Sequence, residues 1–164
     1  MSHTQHMLLV EDNQNDVELM LAVLEEFPFA NEVVVALDGA EALDYLFRRE
    51  QFATRSEDLP CVVLLDIKMP KVNGFEVLKQ IRTDAQLRWL PVVMLTSSRA
   101  ERDIMESYAL GANAYVVKPV DFDEYVEMVK DIGRFWGRRN EPPLSTAGPG
   151  GETSGPINSP TVRH

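Results

Sequence analysis

The sequence predicts a doubly wound α/β domain: a five-stranded parallel sheet of order 2-1-3-4-5 with helices on both faces. Three observations predict it. Five short runs rich in Val and Leu carry little polar alternation, as strands covered on both faces do. Segments with apolar residues at helical spacing stand between them. The two signals alternate along the chain, which selects a parallel sheet joined by right-handed crossovers.

The strand signals are Met7–Val10, 32–36, 61–65, 91–95 and Ala114–Val117. The first helical stripe is Val17, Met20, Leu21 and Leu24, and the second is Leu43, Leu46 and Phe47. Phe75, Leu78 and Ile81 form a third, a helix is expected over about 101–110, and Phe122, Val126, Val129 and Ile132 mark the last. Asp38 before Glu41, Ser98 before Glu101 and Asp121 before Glu124 have the spacing of capping boxes, each just after a strand. Residues 1–6 are expected to be a flexible N-terminus and 7–140 the folded domain. Residues 141–164, rich in Pro, Gly, Ser and Thr, are expected to be a disordered tail, because they bury too little to offset their ordering entropy.

The 164 residues suffice for one domain with a sizeable core. A formal net charge of −10 opposes nucleic acid and anionic membrane alike. The single cysteine, Cys61, excludes a disulfide framework and reads as a buried, inert thiol. There is no basic, apolar leader and no run long enough to span a membrane, so the expectation is a cytoplasmic protein. His3, His6 and His164 lie near the termini and read as solvated.

In this fold the site lies where strands end, beside the switch in strand order. Strand one ends in Glu11-Asp12, strand three in Asp66, strand four in Thr96-Ser97 and strand five in Lys118-Pro119. Two carboxylates about 5 Å apart repel by about 3 kcal/mol at an effective dielectric of about 20. A hard divalent cation relieves that repulsion, and magnesium suits a site with few carboxylates and several retained waters. Taken alone, Glu11 and Asp12 read equally well as caps of the first helix. With Asp66 and Lys118 at neighbouring strand ends, the metal reading prevails. Asp66, at the tip of a buried strand, has the placement of a carboxylate nucleophile toward a phosphoryl group. Lys118 would supply a second positive charge, and Thr96 a hydroxyl for a phosphoryl oxygen.

At these residues the chain resembles the receiver domains of two-component response regulators. The matching text is Leu8-Leu9-Val10-Glu11-Asp12, Leu65-Asp66-Ile67-Lys68-Met69-Pro70 with Gly74 beyond it, Leu95-Thr96-Ser97, and Tyr115-Val116-Val117-Lys118-Pro119. A narrower likeness to the single-domain regulators paired with bacteriophytochromes rests on several segments. These are Asn31-Glu32, Tyr45-Leu46-Phe47-Arg48-Arg49, Ser97-Ser98-Arg99, Lys118-Pro119-Val120-Asp121-Phe122, Phe135-Trp136 and Asn140-Glu141-Pro142-Pro143.

The resemblance implies the flavodoxin-like receiver fold and a phosphoacceptor at Asp66. It implies Mg2+ held by Glu11, Asp12, Asp66 and the backbone carbonyl of Lys68. Lys118 would contact the phosphoryl group, Thr96 would be the switch hydroxyl and Tyr115 the switch aromatic, and the Lys118–Pro119 bond would be cis. Glu11 replaces the aspartate common in the wider family, which moves the carboxylate outward. The implied partner is a sensor histidine kinase, a bacteriophytochrome. Homodimerisation through helix 4, strand 5 and helix 5 is expected, with Ile104, Met105, Tyr108, Tyr125, Phe135 and Trp136 supplying surplus apolar surface.

On this reading the protein is a signalling phosphoacceptor and not an enzyme acting on external substrates. One rival is a Mg2+-dependent phosphohydrolase of the haloacid dehalogenase type, which needs an aspartate where Lys68 stands. A flavodoxin-like electron carrier would need Ser, Thr and Gly after strand one, where Glu-Asp-Asn-Gln-Asn-Asp stands. A docking module without phosphorylation is the third.

Overall fold

The computed structural model describes residues 5–26 and 32–143. Five strands, β1 (Met7–Val10), β2 (Val33–Ala36), β3 (Val62–Leu65), β4 (Val92–Thr96) and β5 (Ala114–Val117), form one parallel sheet of order β2-β1-β3-β4-β5. The helices between them are α1 (Gln14–Glu25), α2 (Gly39–Leu46), α3 (Gly74–Thr83), α4 (Glu101–Ala109) and α5 (Phe122–Arg134). A π-helical turn, Phe135–Arg139, extends α5. Both the fold class and the strand order agree with the sequence expectation.

The missing polar alternation has a direct cause. Leu8 and Val10 face one core with Val63, Leu65, Val92 and Met94, while Met7 and Leu9 face another with Val62, Leu64, Val93 and Leu95. Successive side chains of a strand point to opposite faces, so a sheet covered on both sides needs apolar residues at every position. The first core is closed by Leu43 and Leu46 of α2 and Val77, Leu78 and Ile81 of α3. The second is closed by Val17, Met20 and Leu24 of α1 and Tyr125, Val129 and Ile132 of α5. Helix α4 is packed most lightly, and Ser107 is its one fully buried residue.

Caps set where the helices begin. Asp38 accepts from the Glu41 N–H at 2.7 Å and Asp121 from the Glu124 N–H at 3.0 Å, as their spacing predicts. Asn13 and Asn73 cap α1 and α3 in the same way.

Several expectations are corrected. Ser98 does not cap α4. Ala100 holds the cap position without a side-chain bond, and the Ser98 hydroxyl donates to Asp103 at 2.6 Å instead. His6 is not solvated; it is 8% exposed and its Nε2 lies 2.8 Å from the Tyr45 hydroxyl. The backbone carbonyl of His6 also accepts from the Cys61 N–H, which draws the segment before β1 into the fold. No cis peptide bond occurs among the described residues, so Lys118–Pro119 is trans, the isomer that X–Pro bonds prefer. Phe122, the first residue of α5, is 62% exposed, while Tyr125 belongs to the core and not to the exposed surface.

Cys61 is buried, as expected, and burial pushes its thiol up to about 11. His3, His164, Asn31 and residues 144–164 lie outside the described residues. The described end of the expected tail, 141–143, places Pro142 and Pro143 in a cleft with Leu59, Trp89 and Leu90. Among the described residues, no helix is long and apolar enough to cross a membrane.

Candidate functional site

Parallel strands all present their carboxyl ends to one edge, and that edge collects Glu11, Asp12, Asp66, Thr96 and Lys118. Carboxylate oxygens of Glu11, Asp12 and Asp66 lie within 4.8 Å of one another. Glu11 and Asp66 are buried, at 2% and 8% exposure, whereas Asp12 is exposed. The register explains this convergence. Val10 of β1 pairs with Leu65 of β3, so Glu11 and Asp66 leave the sheet side by side.

Asp66 is held from its own backbone outward. Its N–H donates to Val10 O at 3.1 Å, and its Oδ1 accepts from the Ile67 N–H at 2.8 Å. Gly74 opens α3 directly against this segment, its N–H donating to Ile67 O at 2.9 Å. A Cβ at position 74 would lie 2.2 Å from Asp66 O, so only glycine permits the approach.

Lys118 completes the group. Its Nζ donates to Glu11 Oε2 at 2.5 Å and to Asp16 Oδ2 at 3.0 Å, and it stands 3.9 Å from Asp66 Oδ2. Burial alone would push the ammonium's pKa down. The bond to Glu11 and the charges of Asp66, Glu11 and Asp16 outweigh burial, so the net shift is upward and Lys118 stays charged. Burial also raises Glu11, with the Lys118 bond opposing it. Glu11 uses the reach of its extra methylene inward. One oxygen meets Lys118 and the other accepts from the Asn13 N–H at 3.1 Å.

Asp16 is absent from the sequence-derived site. It sits inside α1, five residues after Glu11, where an acid reads as a helix-start preference. Ser98 is absent from it too. Its N–H donates to Thr96 Oγ1 at 3.3 Å, and its carbonyl accepts from the Tyr115 hydroxyl at 2.9 Å. Thr96 is 1% exposed and Tyr115 half-buried, so the two meet through one loop residue. Accepting from Ser98 leaves the Thr96 hydroxyl proton available to donate. Lys68 is exposed in the loop after β3.

The arrangement suits a hard divalent cation. Three carboxylates from two strand ends supply oxygen donors only, one of them open to solvent, and few protein ligands leave room for water.

Comparison with known proteins agrees with this geometry. Residues 7–130 match the response regulator receiver domain family. Response regulator Rcp1 of Synechocystis sp. (strain ATCC 27184 / PCC 6803 / Kazusa) is 35% identical over 129 residues, 79% of this chain and 86% of Rcp1. A structure of its Mn2+-bound form superposes with a TM-score of 0.80 at 33% identity, over 85% of this chain and 99% of that one. The phosphorylated cyanobacterial phytochrome response regulator RcpA gives a TM-score of 0.81 at 37% identity, covering 87% of this chain and all of RcpA (100%). The bacteriophytochrome response regulator RtBRR is 55% identical with a TM-score of 0.69, over 87% of this chain and 86% of RtBRR. A family match that covers most of the chain, carried by a sheet edge with this acid cluster and lysine, makes this protein a member of the response-regulator receiver family of two-component signalling.

Proposed function

We propose that this protein accepts a phosphoryl group on Asp66 from the phosphohistidine of a sensor histidine kinase, a bacteriophytochrome, with Mg2+ as the cation. The observation that carries this reading is the meeting of Glu11, Asp12 and Asp66 within 4.8 Å against the buried Lys118 ammonium. A carboxylate oxygen of Asp66 attacks phosphorus, the bond from phosphorus to the donor's imidazole nitrogen breaks, and the imidazole keeps the electron pair. Glu11, Asp12, Asp66 and the Lys68 carbonyl would hold Mg2+, which neutralises charge on the transferring group when bound. Lys118 orients a phosphoryl oxygen as a charge-assisted donor. The Mn2+ in Rcp1 and the phosphorylated state of RcpA support this reading by analogy.

The signal would travel through Ser98. A phosphoryl oxygen draws the Thr96 hydroxyl, the β4–α4 loop moves with it, and the Tyr115 bond to Ser98 O is remade. The face formed by α4, β5 and α5 then changes, and Met105, Tyr108 and Phe135, each at least half exposed, offer it apolar surface for a partner or a second copy. Intact-mass spectrometry after incubation with acetyl phosphate and magnesium tests the reading. One added phosphate is expected, and none in Asp66→Asn or without metal. Uptake that persists in Asp66→Asn would refute it.

A further inference from the structure

The Lys118 ammonium has three N–H groups, and two are committed to Glu11 and Asp16. Its separation of 3.9 Å from Asp66 Oδ2 is too long for a hydrogen bond. At rest the ammonium therefore donates to Glu11 and Asp16, and meets Asp66 only as a longer ion pair without a hydrogen bond.

Asp16 is well placed to hold it. The Asp16 N–H donates to Asn13 Oδ1 at 3.1 Å, the Asn13 N–H donates to Glu11 Oε1 at 3.1 Å, and Lys118 joins the other oxygen of Glu11 to Asp16. The four residues form a closed ring of bonds. Across from it on α5 lies Tyr125, 5% exposed, packed in the same core as Val17 of α1. Its hydroxyl is buried and has no hydrogen-bond partner among the described residues. Burial raises it to about 12, and the next largest influences are the charges of Asp16, Lys118 and Glu11. A buried hydroxyl left unpaired is costly, and a carboxylate that loses its ammonium donor gains by taking another.

We propose that Asp16 is a positioning residue that holds Lys118 back from Asp66 in the unphosphorylated protein, and that the Tyr125 hydroxyl takes over Asp16 when Lys118 turns to the phosphoryl group. The proposal rests on Asp66 being the phosphoacceptor. A group shifts an equilibrium only by its differential interaction with the two states. Asp16 stabilises the resting position of Lys118, and Tyr125 stabilises the position reached on its release. Removing them should act in opposite directions.

The experiment is intact-mass measurement of the ratio of phosphorylated to unphosphorylated protein at limiting acetyl phosphate with magnesium. It is repeated in 1 M salt, where the Debye length is about 3 Å. Asp16→Asn should raise the ratio about fivefold, the scale of one partly exposed ion pair, and Asp16→Glu should restore it. Tyr125→Phe should lower it about threefold while leaving the unphosphorylated protein as stable to urea as before, or more so, since its hydroxyl bonds nothing at rest. A merely structural Asp16 would give a loss and no gain. The proposal is overturned by a ratio for Asp16→Asn at or below wild type, by a gain that vanishes in 1 M salt, or by an unchanged ratio in Tyr125→Phe. Absence of phosphate on the wild-type chain instead sinks the phosphoacceptor reading beneath it.

Discussion

The two ends of the sheet solve the same problem in opposite ways. At the carboxyl ends, Glu11, Asp16 and Asp66 share the Lys118 ammonium, and the exposed Asp12 joins Glu11 and Asp66 in the carboxylate cluster. At the amino ends, Arg82 makes four hydrogen bonds. Its guanidinium donates to the carbonyls of Gly111, Arg88 and Leu90 and to Asn113 Oδ1, at 2.7 to 3.0 Å. Nearby, His6 pairs with Tyr45, and Arg55 stacks over the Tyr45 ring while its Nε donates to Tyr45 O at 2.7 Å. One end is short of positive charge; at the other Arg82 and His6 are well bonded, while the buried Nη2 of Arg55 has no hydrogen-bond partner among the described residues. An excess of carboxylates near a surface is where an added cation finds free energy to gain, and satisfied polar groups are where a fold is fixed.

That contrast can be broken from either side. The largest effect is expected at the amino ends. Arg82→Ala leaves three carbonyls without their donor, while Asn113 Oδ1 keeps the Val92 N–H, and should cost about 4 kcal/mol in urea denaturation, with magnesium giving no relief specific to the variant. The next is at the deficient end. Lys118→Ala removes one partner of a buried pair, with side chains 9% and 3% exposed, and should cost about 3 kcal/mol in metal-free buffer. Here the gap to wild type should shrink when magnesium is added, because a cation replaces the lost charge. A gap that magnesium leaves unchanged would erase the proposed difference between the ends.

The smallest effect is a pH dependence at His6. Burial lowers its pKa below the ordinary 6.5, the charge of Arg55 lowers it further, and Glu32 and Asp58 oppose the shift. The unfolded chain then binds the proton more readily, so stability is full above pH 6.5 and falls as pH drops through that value. His6→Gln should flatten this part of the urea-midpoint profile without changing phosphate uptake at neutral pH.

The site is legible in the sequence because of where its residues stand. Glu11, Asp12, Asp66, Thr96 and Lys118 each end an apolar run, and the parallel topology gathers run ends at one edge, so five short strands suffice to bring them together. Asp16 and Tyr125 carry no such mark. Both lie inside amphipathic helices, where an acid near the start and an aromatic on the apolar stripe have ordinary structural explanations. His6 escapes a sequence reading for a related reason, since closeness to a terminus says nothing about a partner 39 positions away.

Periodicity, together with the residue type at each strand end, dictates the strands, the helices, the two apolar faces of the sheet and the polar residues at strand ends, all local properties of the chain, and the right-handed crossover rule adds the strand order. Packing in three dimensions alone selects which carboxylate holds Lys118 at rest, which loop residue joins Thr96 to Tyr115, and which polar groups are matched. Those outcomes turn on differences of about 1 Å between groups far apart in the chain, where hydrogen bonds form or fail.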